Sequence, residues 1–276
     1  MKTSTEISSI EKIVGKEKAV ELVGKTGFDA WDLSMFDLVD ENSPFFTDNA
    51  YGLVKRLRKI GEDNGIRCNQ SHAPFPVNIQ KIKDSLKKAI ELTAIASGEI
   101  CVIHPNNFHT PEQNAEMYLS LLPFAKEHSV KIGTENMWNW DDQRKIALPA
   151  ACSNETDFLK HLNTVSDDYF VACLDIGHSE MAGLNTSAEK MILSLNDKLQ
   201  ALHIHDNDKI HDLHEIPFSM SIDFEKVVNA LKQINYKGYL TLECNAYLSN
   251  RHYTEDNVSD GVKNMYLAVK KISDMF

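Results

Sequence analysis

Short apolar and β-branched runs alternate along this chain with longer stretches in which apolar positions recur every three to four residues. Short apolar runs bounded by turn residues are the mark of buried strands, and the longer recurrence is that of helices with one face against a core. The pattern predicts strands over residues 2–7, 28–34, 66–71, 99–104, 130–135, 170–175, 200–205 and 238–243, the first being the weakest. Helices are predicted over about 9–25, 48–63, 79–97, 111–128, 155–165, 187–197, 222–234 and 258–275. Alternating strands and helices build a parallel sheet with crossover helices. The 276 residues suffice for one closed barrel, which needs roughly 250. The expected fold class is α/β, a single-domain (β/α)8 TIM barrel spanning 1–276.

Local signals support these boundaries. Thr110-Pro111-Glu112 places a capping hydroxyl before a proline at the first helical position, and Thr186-Ser187-Ala188-Glu189 also reads as a capped start. The longest irregular stretches, 136–154 (with Trp138 and Trp140) and 206–221, both follow predicted strands. In a barrel that is the side of the active-site loops. The two tryptophans either wall a pocket or pack a loop, and Trp31 is expected in the core.

The ends of the predicted strands carry the candidate chemistry. His72 follows the third, His104 ends the fourth, Glu135 the fifth, and Asp175 ends the sixth with His178 just beyond; His205 ends the seventh and Glu243 the eighth. Acidic and imidazole side chains are costly inside a barrel unless paired or bound to a cation. Six successive strands ending in such types point to a metal site, whereas any one alone could be a satisfied core polar group. His104 could equally cap a turn. His203 and His205 share a face of one strand, His203 deeper and His205 nearer the mouth. Glu135 and Glu243 are hardest to explain as structural, because a buried unpaired carboxylate has a large desolvation cost.

Composition narrows the partners. A net charge of −11 and a pI near 5.5 weigh against nucleic acid, whose phosphates are held by clustered Lys and Arg. The basic stretch Lys55-Arg56-Leu57-Arg58-Lys59 falls within a helical pattern and reads as a solvated face. No apolar run approaches the roughly 20 residues that cross a membrane, and Met1–Glu6 lacks the apolar centre of a secretion signal; a cytoplasmic protein is expected. The five cysteines are odd in number, scattered and without metal-finger spacing, which suits reduced buried thiols.

The strand-end segments together resemble the xylose isomerase-like barrel superfamily, in particular its sugar phosphate isomerases and epimerases, and share a site pattern with endonuclease IV. They are Ser71-His72-Ala73-Pro74-Phe75, Val102-Ile103-His104-Pro105, Thr134-Glu135-Asn136, Leu174-Asp175-Ile176-Gly177-His178, His203-Ile204-His205-Asp206-Asn207, Asp212-Leu213-His214 and Tyr239-Leu240-Thr241-Leu242-Glu243. The resemblance implies that Glu135, Asp175, His205 and Glu243 hold one divalent ion (Mn, Mg, Co or Zn), with His178, His72, His104, Asp212 and His214 toward substrate. It also implies proton abstraction beside a carbonyl through a metal-stabilised enediolate, with Glu135 and Glu243 as proton carriers on a sugar or sugar phosphate. A small carbohydrate would be the partner, and homo-oligomerisation is left open.

Rival expectations share the barrel. An endonuclease IV-like phosphodiesterase (an AP endonuclease) would use two to three zinc ions on His72, His104, Glu135, Asp175, His178, His205, Asp212, His214 and Glu243. Net charge, the lack of basic loops and the departure at Glu215-Ile216-Pro217-Phe218-Ser219-Met220-Ser221 from the Gly-rich stretch of that family oppose it. Ketose 3-epimerases carry an Arg soon after the ligand His, where Asn207-Asp208-Lys209-Ile210 offers only Lys209. Sugar-acid, inositol-pathway or dehydratase chemistry therefore stays open, as does a non-catalytic metal-stabilised binding protein.

Overall fold

Continuous apolar runs require strands covered on both faces. In the computed structural model, which describes residues 1–47 and 49–276, the strand formed by Phe170–Asp175 is buried at every position, as are Thr3–Thr5 and Leu240–Leu242. Among the described residues the strands are β1 Thr3–Thr5, β2 Ala30–Ser34, β3 Arg67–His72, β4 Ile100–Val102, β5 Lys131–Glu135, β6 Trp138–Asp141, β7 Ile146–Pro149, β8 Phe170–Asp175, β9 Leu199–His203 and β10 Leu240–Leu242. The helices are α1 Ser8–Val14, α2 Lys16–Thr26, α3 Ala50–Asp63, α4 Gln80–Ile95, α5 Pro111–Glu127, α6 Glu155–Val165, α7 Ile176–Ser179, α8 Ala188–Leu195, α9 Phe224–Gln233, α10 Asn245–Asn250 and α11 Val258–Asp274.

Strands β2-β3-β4-β5-β8-β9 form one parallel sheet, and β1 pairs in parallel with β10. Two single bridges, Glu6 to Asp32 and Ile204 to Leu242, join these pieces into a closed cylinder. Each of the eight predicted strands thus has its counterpart. The hairpin β6–β7 is additional, lying in the stretch expected to be irregular. The predicted helix over 9–25 is two helices, because Gly15 at φ 79° takes the left-handed region and ends α1 with its N–H on the Glu11 carbonyl. The predicted helix over 48–63 begins at Ala50; position 48 lies outside the described residues. Short helices α7 and α10, each just beyond a barrel strand, have no counterpart in the predicted pattern.

Capping follows the sequence signals. Thr110 and Gln113 form a reciprocal capping box ahead of Pro111, and the Ser187 hydroxyl accepts from the Lys190 N–H. The main core lies between the sheet and the surrounding helices, with Trp31 fully buried in it. The five cysteines are free and buried. In the 55–59 run all four basic side chains are exposed, and Arg56, Arg58 and Lys59 pair with Glu17, Glu62 and Asp63. No helix among the described residues is long and apolar enough to cross a membrane.

One ion pair outside the barrel mouth has a measurable consequence. Burial pushes the Glu11 carboxyl up to about 7, against the pull of Lys16 2.6 Å away. A carboxyl raised on folding contributes stability that is present below its unfolded pKa and is lost as pH climbs through the folded value. The unfolding free energy of the native chain, measured against Glu11→Gln, is expected to fall by roughly 3 kcal/mol between pH 4.5 and 7. A pH-independent difference in denaturant titrations would show that the Glu11 carboxyl titrates alike in the folded and unfolded chain.

Candidate active site

The C-terminal ends of the barrel strands converge on a cluster of three buried carboxylates, a fourth that is largely buried, and six buried or largely buried imidazoles. Glu135, ending β5, stands at its centre. Its Oε2 lies 3.2 Å from His104 Nε2, 3.2 Å from His203 Nδ1 and 3.6 Å from His72 Nε2. Glu243, one residue past β10, brings its Oε2 within 3.4 Å of the same His203 Nδ1. Asp175, ending β8, caps α7 by accepting the His178 N–H at 2.7 Å, and its Oδ1 is also 3.1 Å from His205 Nε2. A second group forms around Asp212: its Oδ2 is 3.3 Å from His178 Nε2 and 3.2 Å from His214 Nε2, and its Oδ1 is 3.3 Å from His205 Nε2.

Local folding aims these side chains. Nδ1 of His72, His178 and His214 meets the main-chain carbonyls of Ala73, Asn136 and Glu243 at 2.8, 2.9 and 2.8 Å. A ring that donates through Nδ1 presents the Nε2 lone pair to the site. Asn136 clamps two strand ends together, donating to the Asp175 carbonyl and accepting its N–H. Asp206 accepts the N–H groups of Asn207, Met220 and Ile222 and so folds the 206–221 stretch back over the barrel, which brings in Asp212 and His214. A Cβ at Gly177 would sit 1.9 Å from the His205 ring, so only glycine permits this approach.

Charge balances within the cluster. Burial raises the Glu135 carboxyl, but His203 and His104 outweigh it and hold the group well below the usual carboxylate range. Burial likewise opposes, and His178 and then His205 or His214 override it, in keeping Asp175 and Asp212 low. For the imidazoles the signs reverse: burial lowers His203 and His178, while Cys173, Glu135 and Glu243 for the first and Asp175 and Asp212 for the second lift them well above 6.5. His214 stands at about 10, burial being overcome by Asp212. His104 alone is held low, by burial.

The donors suit a cation better than they suit one another. Although separations fall between 3.1 and 3.4 Å, His203 Nδ1, His205 Nε2, Asp175 Oδ2 and Asp212 Oδ1 are buried without an aligned hydrogen-bond partner. One ligand atom each from Glu135, Asp175, His203 and Glu243 lies within 4.8 Å of all the others. The same holds for His178, His205, Asp212 and His214, and for His72, His104 and Glu135. By these separations His203 groups with Glu135, Asp175 and Glu243, while His205, whose Nε2 is also 3.1 Å from Asp175 Oδ1, groups with Asp212. The expected strand over 200–205 ends two residues early, at His203.

Above the cluster opens a cavity of about 340 Å³ lined by His72, His104, Glu135, His178, Asp212, His214 and Glu243. Asp175, His203 and His205 lie fully buried beneath it. Its walls are largely apolar, with Phe75, Phe108 and Trp138 prominent. Trp138 both faces the cavity and packs on Ala147, Met181 and Leu184, whereas Trp140 lies outside it against His211. The sequence pattern did not single out Phe108 and Asn245 on the wall, or Glu6 and Asp32 behind the cluster. For Asp32 a signal exists: it alternates with Trp31 and Leu33 in a run whose every position is buried.

Residues 20–266 match the xylose isomerase-like TIM barrel family, and the chain belongs to it. A curated relative, an uncharacterized protein of Methanocaldococcus jannaschii, is 23% identical over 249 residues, covering 82% of this chain and 78% of its own. Among solved structures, the IolI protein with a bound zinc atom superposes with a TM-score of 0.75 at 17% identity, covering 100% of this chain and 99% of that one. D-psicose 3-epimerase of Clostridium cellulolyticum H10, solved with D-tagatose, gives 0.73 at 14% identity and 99% coverage of both.

Proposed function

We propose that the chain is a divalent-cation-dependent isomerase or epimerase of a sugar. One observation carries this: Glu135 and Glu243, from strands separated by two others around the barrel, meet over one imidazole nitrogen at 3.2 and 3.4 Å beneath a cavity of sugar size. The proposed holding set is Glu135, Asp175, His203 and Glu243, a revision of the expected set in which His203 takes the place of His205. Three carboxylates and one imidazole suit Mn2+, Co2+ or Mg2+, and zinc is compatible with them. The cation, when bound, supplies positive charge that stabilises an oxyanion developing beside a carbonyl.

The chain supplies the proton transfers. One of Glu135 and Glu243 removes a proton from the carbon beside the carbonyl and the other returns one, either to the opposite face or to the neighbouring carbon. Nε2 of His72, His178 and His214 is turned toward the cavity, where it can meet hydroxyl oxygens. The apolar rings of Phe75 and Trp138 accommodate the C–H face of a sugar and exclude water. No Lys or Arg is among the residues lining the cavity, which favours an uncharged sugar over a phosphorylated one. The epimerases among the solved neighbours support the same choice.

A second reading, an endonuclease IV-like zinc phosphodiesterase, draws on the other two donor groups, around Asp212 and around His104. Counting metal separates the two: elemental analysis of gently purified protein is expected to give about one ion per chain, paired with solvent deuterium entering a ketose in an exchange screen. Two to three zinc ions with phosphodiester cleavage and no carbon-bound deuterium would favour the second.

A further inference from the structure

The cavity above the cluster does not end at its own wall. Asn107 and Phe108, on the loop between β4 and α5, also line a neighbouring groove of about 450 Å³, bounded by residues 107–112 on one side and by 149–151 and the start of α6 on the other. Phe108 stands at the divide and is 78% exposed, the largest share among the exposed large apolar side chains of the described residues. Single exposed apolar side chains are ordinary, but a ring between two adjoining concave surfaces is placed to be covered by whatever spans them. The loop that carries it is pinned: Asn107 Nδ2 donates to the Trp138 carbonyl at 3.1 Å, and the Phe108 N–H donates to Asn106 Oδ1 at 3.1 Å. Ser153, also lining the groove, is buried, and its hydroxyl has no hydrogen-bond partner among the described residues. Buried polar groups are nearly always paired, so this hydroxyl is suited to a ligand or a water.

Charge decides what kind of group fits. Among the described residues lining the groove the only Lys or Arg is Lys160, whose Nζ is 3.2 Å from Glu112. Asp157 adds a second carboxylate, its Oδ2 accepting the Cys152 N–H at 2.7 Å. Two carboxylates against one paired ammonium disfavour a phosphate or carboxylate ligand. Carboxylates, a hydroxyl and a side-chain amide beside an exposed ring suit a neutral polyol, whose O–H groups both donate and accept and whose C–H face lies on the ring. We propose that the groove is a second sugar subsite, so that the substrate is a glycoside or disaccharide rather than a free monosaccharide. The reacting unit lies in the cavity over Glu135 and Glu243, and the attached unit passes across Phe108 into the groove. The proposal deepens the sugar reading of the preceding subsection and rests on it.

Calorimetric titration in excess Mg2+ compares D-fructose and D-glucose with their glucosyl disaccharides turanose, palatinose, maltose and cellobiose. At least one disaccharide is expected to bind the native chain about tenfold more tightly than its parent monosaccharide, the scale of one or two net hydrogen bonds. Ala150, half-buried, lines the groove but not the cavity. Ala150→Trp should therefore fill the groove and cancel the gain, while the parent monosaccharide keeps its affinity within about twofold. Should that variant not fold, Lys160→Ala takes its place, since the Lys160 side chain is 58% exposed and lies at the groove alone. It should cut the gain by about threefold or more, the loss of one hydrogen bond to a charged donor. Disaccharides that bind no more tightly than their parents overturn the subsite, and so does a gain that survives undiminished in the folded variant. If neither the monosaccharides nor the disaccharides bind, the sugar reading of the cavity falls and the subsite with it, an outcome distinct from monosaccharides that bind without any gain on extension.

Discussion

Glu243→Gln is expected to leave the barrel folded and to slow carbon-bound proton exchange by at least about 10³-fold. General acid–base catalysis alone contributes roughly 10²- to 10⁴-fold, and the same change removes one carboxylate charge from the proposed cation set. The fold should survive because the Glu243 main chain keeps its roles, its N–H on the Ile204 carbonyl and its own carbonyl accepting from His214 Nδ1. An amide also suits the site sterically, being of the same shape. Circular dichroism for the fold and deuterium incorporation for the chemistry, run on one preparation, check both halves. A fully active Glu243→Gln enzyme would remove Glu243 from the mechanism.

Exchanging the two histidines of the His203-Ile204-His205 segment gives the second large effect. His203→Asn is expected to weaken Mn2+ binding by more than about 100-fold, exceeding the 10- to 100-fold typical of residues that only support a ligand. His205→Asn should weaken it by less than tenfold, because its Nε2 faces Asp175 and Asp212 instead of Glu135 and Glu243. Calorimetry on stripped protein reads both. The reverse order would restore His205 to the holding set and place His203 among the structural imidazoles.

The same segment shows what a sequence can and cannot disclose. Strand positions were legible because buried strands demand unbroken apolar runs, and their ends were legible because Glu135, Asp175 and Glu243 interrupt such runs with groups that are costly to bury. Which imidazole of His-Ile-His lies beside Glu135 and Glu243 and which beside Asp175 and Asp212 was not, since both lie on one face of an extended chain and differ only in depth. Depth is set by where the ladder stops, and β9 shifts register against β8 between Ala172 and Cys173. A register shift leaves no mark in the hydrophobic pattern. Asp32 escaped notice for a related reason: a lone acid within an apolar strand cannot be matched to a partner in β9 before the barrel is closed. The hairpin β6–β7 was hidden because each strand is only four residues long, and the alternation of Trp138 and Trp140 with Asn139 and Asp141 has no counterpart in Ile146–Pro149.

The anchoring of three imidazoles to main-chain carbonyls bears on how this site meets its ligands. A ring held at 2.8 to 2.9 Å by the backbone cannot swing toward an incoming group without breaking that bond. Loading therefore involves little side-chain reorganisation, and the entropy of ordering has already been lost when the chain folds. Selection among ligands of similar charge then falls to radius and stereochemistry, because a rigid cradle rejects a misfit that a supple one would wrap.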